Sequence, residues 1–471
     1  MYDLIYKKIN SYSNKIFIIV FWINITNLTL ILIKSFGKFI IYEDSYALFN
    51  SKNQPFINFL FEPHNGHIIL ISKLLNSFFI NLKLSPTGYN ITISILILFF
   101  GLTILWKILD TINPKSSYKN NIFFICSFFW LSPWQWENLI WEFQIPWFLI
   151  SLFVLILTLI NFEIFLKKGN GDSIFQKIFL TLSPILAILC SGQSICYLNC
   201  ILISLIFKRK KTILPLATTF LSYVMYFSIK TIYDQNLDIS YNFLEIILYS
   251  FVIVSTIFKA PLSGFYQTSF KEWIIPIFSS ILVQLNLLIF ISRVYIQNQS
   301  FKIREINLFI PILFGLQFIF LTSITRSQFG IHQGAVSRYL TCINLIPIGL
   351  LILFYYLICK DNNLNTSKFN IKSIKNLSII MSFCFLINGS SIFKTIYQTQ
   401  IAYKTRLENF RLFQKTCLSN KNINSNITSI RSNFSQFKKY HGVNFPPLPD
   451  SDNFNRFQIY LNSNFCEIAT L

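Results

Sequence analysis

Between two apolar stretches near the start of the chain lies a polar connection that holds Glu43 and Asp44, then Glu62, Pro63, His64, Asn65, Gly66 and His67. It gathers three carboxylates and two of the four histidines of a chain with only 19 acidic residues and 53% hydrophobic ones. Ionisable groups are scarce in membrane proteins and concentrate where they have a function, so this connection is the candidate active site. A carboxylate there can take the proton from a hydroxyl during group transfer, a contribution of typically about 10²–10⁴-fold. Asp44 is the candidate base and Glu43 its support, since adjacent side chains diverge. Asp44, Glu62, His64 and His67 are also of the types that ligate a divalent cation such as Mg or Mn. His64 and His67 share a face only in a helix, which Gly66 between them opposes.

Two later clusters add groups suited to binding. The run from Trp130 to Trp147 interleaves Trp134, Trp136 and Trp141 with Glu137, Asn138, Glu142 and Gln144. Tryptophans at a membrane interface form an aromatic belt. The carboxylates and amides among them suit stacking and hydrogen bonding to a sugar, and both readings stand. The third cluster runs from Thr325-Arg326-Ser327-Gln328 through His332 to Ser337-Arg338-Tyr339. Guanidinium forks match phosphate oxygens. The alternative is that Arg338 pairs with Glu142 or Glu137 and only joins helices.

The elements that position these clusters are apolar runs of membrane-spanning length, at 16–36, 89–109, 145–165, 212–230, 273–292, 307–325, 339–359 and 376–394. Shorter runs at 120–134, 176–190 and 195–207 also cross, with their ends shielded inside the bundle. A soluble globular protein is excluded. The expected fold is all-α and polytopic, with about eleven crossings, a membrane domain over 1–394 and an external basic tail over 395–471. The first run is too long for a signal peptide and lacks a small-residue cleavage site, so it is a retained helix.

The net charge of +21 sits mostly in connections, where it reports topology and gives no sign of nucleic acid. A cytoplasmic N-terminus places Lys107/Lys115/Lys119, Lys167/Lys168/Lys177 and Lys208–Lys211 on the cytoplasmic side. Treating 243–259 as non-crossing keeps Arg293, Lys302, Arg304 and Lys360 there as well. All three polar clusters then face outward, as does the tail. The segment 68–84 either lies along that outer surface or makes a short crossing. The nine cysteines form no metal motif, and Cys417 and Cys466 in the tail are the pair open to a disulfide in an oxidising compartment.

Glu43-Asp44 after the first helix, the Pro-Trp-x-Trp-Glu-Asn-Leu-x-Trp-x-Phe-Gln stretch at 133–144 and Ser337-Arg338-Tyr339 at the start of a late helix resemble, in that order, bacterial membrane glycosyltransferases of the GT-C superfamily. The resemblance covers the layout of most of 1–394. It implies a multi-helix inner-membrane enzyme that takes a sugar from a polyprenyl-phosphate carrier and passes it to a glycan, lipid or protein acceptor away from the cytoplasm. It also implies a catalytic acidic residue in the first external loop, here Asp44 or Glu43, and basic residues that hold the lipid phosphate, here Arg326 and Arg338. His64-Asn65-Gly66-His67 is similar to Asn-x-His variants of such proteins. A lipid-linked oligosaccharide polymerase or ligase would share the phosphate chemistry but carry its main polar loop late. A transporter would place charges in broken helices at mid-membrane.

Overall fold

The computed structural model describes residues 22, 25–26, 28–30, 55–62, 68–82, 86–116, 118–141, 144–166, 173–206, 213–233, 242–257, 274, 277–278, 281, 285, 303–327, 334 and 336–362. Its elements are α1 (Phe56–Phe61), α2 (Leu70–Asn81), α3 (Pro86–Ile112), α4 (Lys119–Trp130), α5 (Trp136–Ile140), α6 (Ile145–Leu166), α7 (Ile174–Ile188), α8 (Ser194–Ile206), α9 (Ile213–Tyr233), α10 (Phe243–Ser255), α11 (Ile310–Arg326), α12 (Leu340–Ile343) and α13 (Leu345–Asn362). Short 3₁₀ turns precede α5, α11 and α12. Among the described residues there is no strand.

Four stretches are long and apolar enough to cross a bilayer: Gly88–Ile112, Ile145–Leu166, Ile306–Arg326 and Leu340–Cys359. Five shorter apolar helices accompany them, Leu70–Phe79, Ile174–Ile188, Ser194–Ile206, Ile213–Ser228 and Phe243–Ser255. The chain is therefore a polytopic all-α membrane protein. Most of the runs expected at 16–36 and 273–292 lies outside the described residues, as do all of 376–394, the tail 395–471, Cys417 and Cys466.

Helices apolar on every side belong inside a bundle, and α6 and α12–α13 fit that rule. Phe148, Val154, Leu155, Leu157 and Phe162 of α6 are fully buried, as are Leu345, Ile348, Ile352 and Tyr355 of α13. On α3, by contrast, Ile95, Leu96, Phe99 and Phe100 are exposed, as a lipid-facing stripe would be. Glycines set the closest approaches. A Cβ on Gly315 of α11 would overlap Ile346, and one on Gly349 of α13 would meet Ile312 at 2.9 Å. This small-residue crossing lets two backbones come together where lipid gives no hydrophobic drive.

One end of the bundle is tied by charge. Lys119 donates to Asp110 at 2.6 Å and lies 3.9 Å from the Trp106 ring centroid. Beside them Tyr355 donates to the Asn113 carbonyl at 2.6 Å, fastening the α3–α4 turn to α13. Ser173 and Gln176 form a capping box on α7, and Gln176 also reaches Glu163 of α6 at 2.9 Å.

From that end α4 rises only part of the way. Its 12 residues make about 18 Å of helix, against a hydrocarbon core of about 30 Å. It stops where Trp130 lies against Gly101 of α3, with the indole N–H donating to the Leu98 carbonyl at 2.9 Å. A Cβ on Gly101 would overlap that indole. Sequence reading extends a crossing over 120–134; the helix ends at Trp130, and the chain continues as a buried irregular strap.

Candidate functional site

The strap from Leu131 to Gln144 climbs back along α3 to Asn90, whose side chain donates to the Leu139 carbonyl at 2.7 Å. Leu98 and Asn90 are about 12 Å apart along α3 at 1.5 Å per residue. Backbone at membrane depth needs partners within the protein, and side-chain amides supply them. Asn344 donates to the Phe129 carbonyl at 2.8 Å and Gln135 to the Trp130 carbonyl at 2.7 Å, which caps the end of α4. Thr341 in turn donates to Gln135 Oε1 at 2.8 Å. Asn138 donates to Thr341 Oγ1 at 2.6 Å and to the Arg338 carbonyl at 2.9 Å.

This chain of bonds welds the strap to residues 338–344. The Arg338 carbonyl can only accept, so the Asn138 amide has one workable orientation. Its Oδ1 then has no hydrogen-bond partner in the structure, and neither do Asn90 Oδ1 and Gln144 Oε1. Trp134, Glu137, Asn138, Trp141 and Gln144 are all buried, Asn138 completely. Trp134 packs on Leu340. Trp136 opens α5. Glu142 lies outside the described residues.

Arg338 presents its guanidinium at the head of this assembly. It is half-buried, 5.8 Å from the Trp141 ring centroid and 5.6 Å from that of Tyr339, a distance at which a cation is attracted to the ring face. The Tyr339 ring is itself wedged: it stacks on Trp147 at 5.8 Å and meets Phe318 at 6.0 Å and 62°. Its hydroxyl lies 3.4 Å from that of Tyr249 on α10. Arg326, also half-buried, closes the last turn of α11. The charges of Arg326 and Arg338 both act on Tyr249.

The described residues at the end of the first polar connection, 55–62, and those that follow it from 68 dock at the same end of the bundle. Glu62 follows α1, and its backbone N–H returns to the Asn58 carbonyl at 2.9 Å. Lys73 of α2, 1% exposed, donates to the carbonyls of Phe59 at 2.6 Å and Glu62 at 2.7 Å. It also lies 4.5 Å from the Phe59 ring centroid. The ammonium thus caps α1 at the point where the chain enters Pro63. The α2 backbone joins the α7–α8 turn through Ile71 N–H to the Leu189 carbonyl at 3.1 Å. Farther along α2, Asn76 accepts from Tyr89 at 3.0 Å and Phe79 stacks on Tyr89 at 4.9 Å. These contacts keep α2 beside the start of α3.

Glu43, Asp44, His64, Asn65 and His67 lie outside the described residues, so of the candidate cation ligands only Glu62 is described. Among the described residues no three His, Cys, Asp or Glu side chains group as a metal site. The structure brings together Trp141, Arg338 and Tyr339, and joins Asn138 to Arg338. It also adds Asn90, Gln135, Thr341, Asn344, Lys73 and Tyr249, which the motifs do not single out. Lys73 had a signal, an ammonium inside the apolar run 68–84. Tyr249 had none, being one of 22 tyrosines. No family model, curated protein or solved structure matches the chain.

Proposed function

We propose that this multi-spanning membrane protein is a glycosyltransferase that moves a sugar from a polyprenyl-phosphate carrier to a glycan, lipid or protein acceptor of the cell envelope. It works in a bacterial inner membrane, on the face away from the cytoplasm, with the N-terminus inside and the tail outside. The observation that carries the reading is the half-buried Arg338, flanked by Trp141 and Tyr339 at the bundle end where residues 55–62 and 68–71 also dock. A guanidinium so placed suits an anionic headgroup whose hydrocarbon lies along the exposed apolar helices.

In the proposed reaction the acceptor hydroxyl attacks the anomeric carbon and the phosphate leaves with the bonding electrons. Asp44 takes the hydroxyl proton, with Glu43 beside it. Arg326 and Arg338 stabilise the phosphate charge as it develops. A phosphate leaving group needs cations more than a general acid, so one carboxylate suffices where glycosidases use two. Trp134, Trp136, Trp141, Glu137, Asn138, Glu142 and Gln144 shape the sugar subsite with Tyr339. His64, Asn65 and His67 border the acceptor. A Mg or Mn ion held by Asp44, Glu62, His64 and His67 would add Lewis-acid stabilisation of the phosphate.

The test is transfer from radiolabelled polyprenyl-phosphate sugars by the purified protein in lipid. Asp44→Asn is expected to lose transfer by at least about 10²-fold while still binding the donor. Failure of the parent to bind or transfer any donor of a broad panel would sink the proposal.

A further inference from the structure

A glutamine stands on the outward face of α11. Gln317 is the twelfth of the 21 residues of the span Ile306–Arg326, and so lies close to its middle. Beside it Leu316 and Phe320 are exposed and Leu313, Leu321 and Ile324 are half-buried, while Gly315, Phe318 and Thr322 take the opposite, buried face. Leu313, Gln317, Phe320 and Ile324 follow one another at spacings of four, three and four. That is the seam of a helix pair with one polar member. From the inside, the Gln317 amide meets that of Asn199 on α8 at 2.8 Å, and Tyr223 of α9 bonds to the other end of the Asn199 amide. Tyr223 is itself the eleventh of the 21 residues of α9, which puts this trio at mid-depth on two helices independently.

We propose that the outward stripe of α11 docks on the same stripe of a second copy, making a two-fold dimer with the two Gln317 amides paired inside the membrane. A primary amide offers two N–H donors and two carbonyl lone pairs. Among the described residues Asn199 is the hydrogen-bond partner of Gln317 and occupies one of the four. Turning both amides over changes which end is used and leaves the same number open. Lipid tails can pair with none of them. A second Gln317 can pair with two at once, because across a two-fold axis each amide donates an N–H to the carbonyl oxygen of the other, in either orientation. Two copies inserted with one topology also hold Gln317 at one depth, so the partner whose amide matches by construction is the same chain. The contact is isologous, and a single polar residue in an apolar seam fixes its register.

The experiment measures self-association of the full chain in liposomes at falling protein-to-lipid ratio, by energy transfer between copies that carry donor and acceptor dyes at the N-terminus. Gln317→Leu keeps the stripe apolar and is expected to raise the dimer dissociation constant about tenfold. That change also removes the bond to Asn199, so two further variants leave the amide in place: Phe320→Cys on the seam and Ile95→Cys on the exposed stripe of α3. Under copper phenanthroline, Phe320→Cys should give a cross-linked dimer above the baseline of the parent, which has nine cysteines of its own. Ile95→Cys should stay at that baseline. A parent that is monomeric at every ratio, an unchanged dissociation constant in Gln317→Leu, or cross-linking no better at Phe320 than at Ile95 overturns the proposal. A cross-link from Phe320→Cys to a cysteine of its own chain would put a segment of that chain on the stripe and overturn it as well.

Discussion

Asn344 and Lys73 do the same task at two places: each gives hydrogen-bond donors to carbonyls that a short helix leaves open. Asn344→Leu keeps the volume but leaves the Phe129 carbonyl only weaker bonds such as that from Ser132 N–H at 3.4 Å, and loss of a buried hydrogen bond costs about 0.5–1.5 kcal/mol. The unfolding midpoint in detergent is expected to fall accordingly. Lys73→Met keeps the apolar stem and removes the ammonium from the carbonyls of Phe59 and Glu62. Its effect should be local, read as faster cleavage within 55–68 in limited proteolysis. Asn138 and Gln144 read as sugar ligands as well as members of an interfacial belt, because amides among tryptophans at a helix mouth suit a sugar. The structure gives the Gln135 amide to the end of α4 and the Asn138 donors to Arg338 and Thr341, while Asn138 Oδ1 and Gln144 Oε1 stay open. What the sequence could not display is depth: nothing in the run from Trp130 to Gln144 says that the preceding helix stops beside Leu98.

At the scale of elements, the contact between Gly101 and Trp130 decides how α3 and α4 meet. Gly101→Val puts two methyls into the space of the indole. Overpacking of this kind costs about 1–3 kcal/mol, and loss of the Trp130–Leu98 bond adds to it. The expected outcome is a lower unfolding midpoint with no change in oligomeric state by size-exclusion chromatography. The long helices α3, α6 and α11 and the α12–α13 span were legible from hydropathy, because a span of about 20 apolar residues has few other uses. The shorter α7 and α8 were legible as apolar runs and read as crossings, and α10 as one read as non-crossing; their lengths suit a crossing, buried or re-entrant helix equally. For α10 the contacts of Tyr249 and Ser250 all lie at the Arg326 end of α11. Cysteines placed at Asn242 and Ser263 are accordingly expected to react with an impermeant maleimide from one side of sealed vesicles. Labelling from opposite sides would mean that the segment crosses.

For the whole molecule, burial makes a prediction about every described thiol. Cys126, Cys190, Cys196, Cys200, Cys342 and Cys359 are free and buried. In the folded protein none of the six should take up an impermeant maleimide, whereas all should do so in SDS, as peptide mapping would show. Reaction of Cys126 in the native state would contradict the packing around α4, and reaction of Cys342 that of α12 on α6. The truncated rise of α4 reaches further, into how the chain enters the membrane during synthesis. A 12-residue apolar segment with Lys119 at its start is a poor candidate for insertion by itself, since a spanning helix needs about 20 apolar residues. Its end carbonyls find their donors on Gln135 and, after some two hundred more residues, on Asn344. Residues 119–130 are therefore expected to settle in the membrane only when α13, which packs on α4 and carries the Asn344 donor just before it, has emerged. Cys126 should react with an impermeant maleimide in nascent chains arrested before residue 340 and be protected in those that include α13.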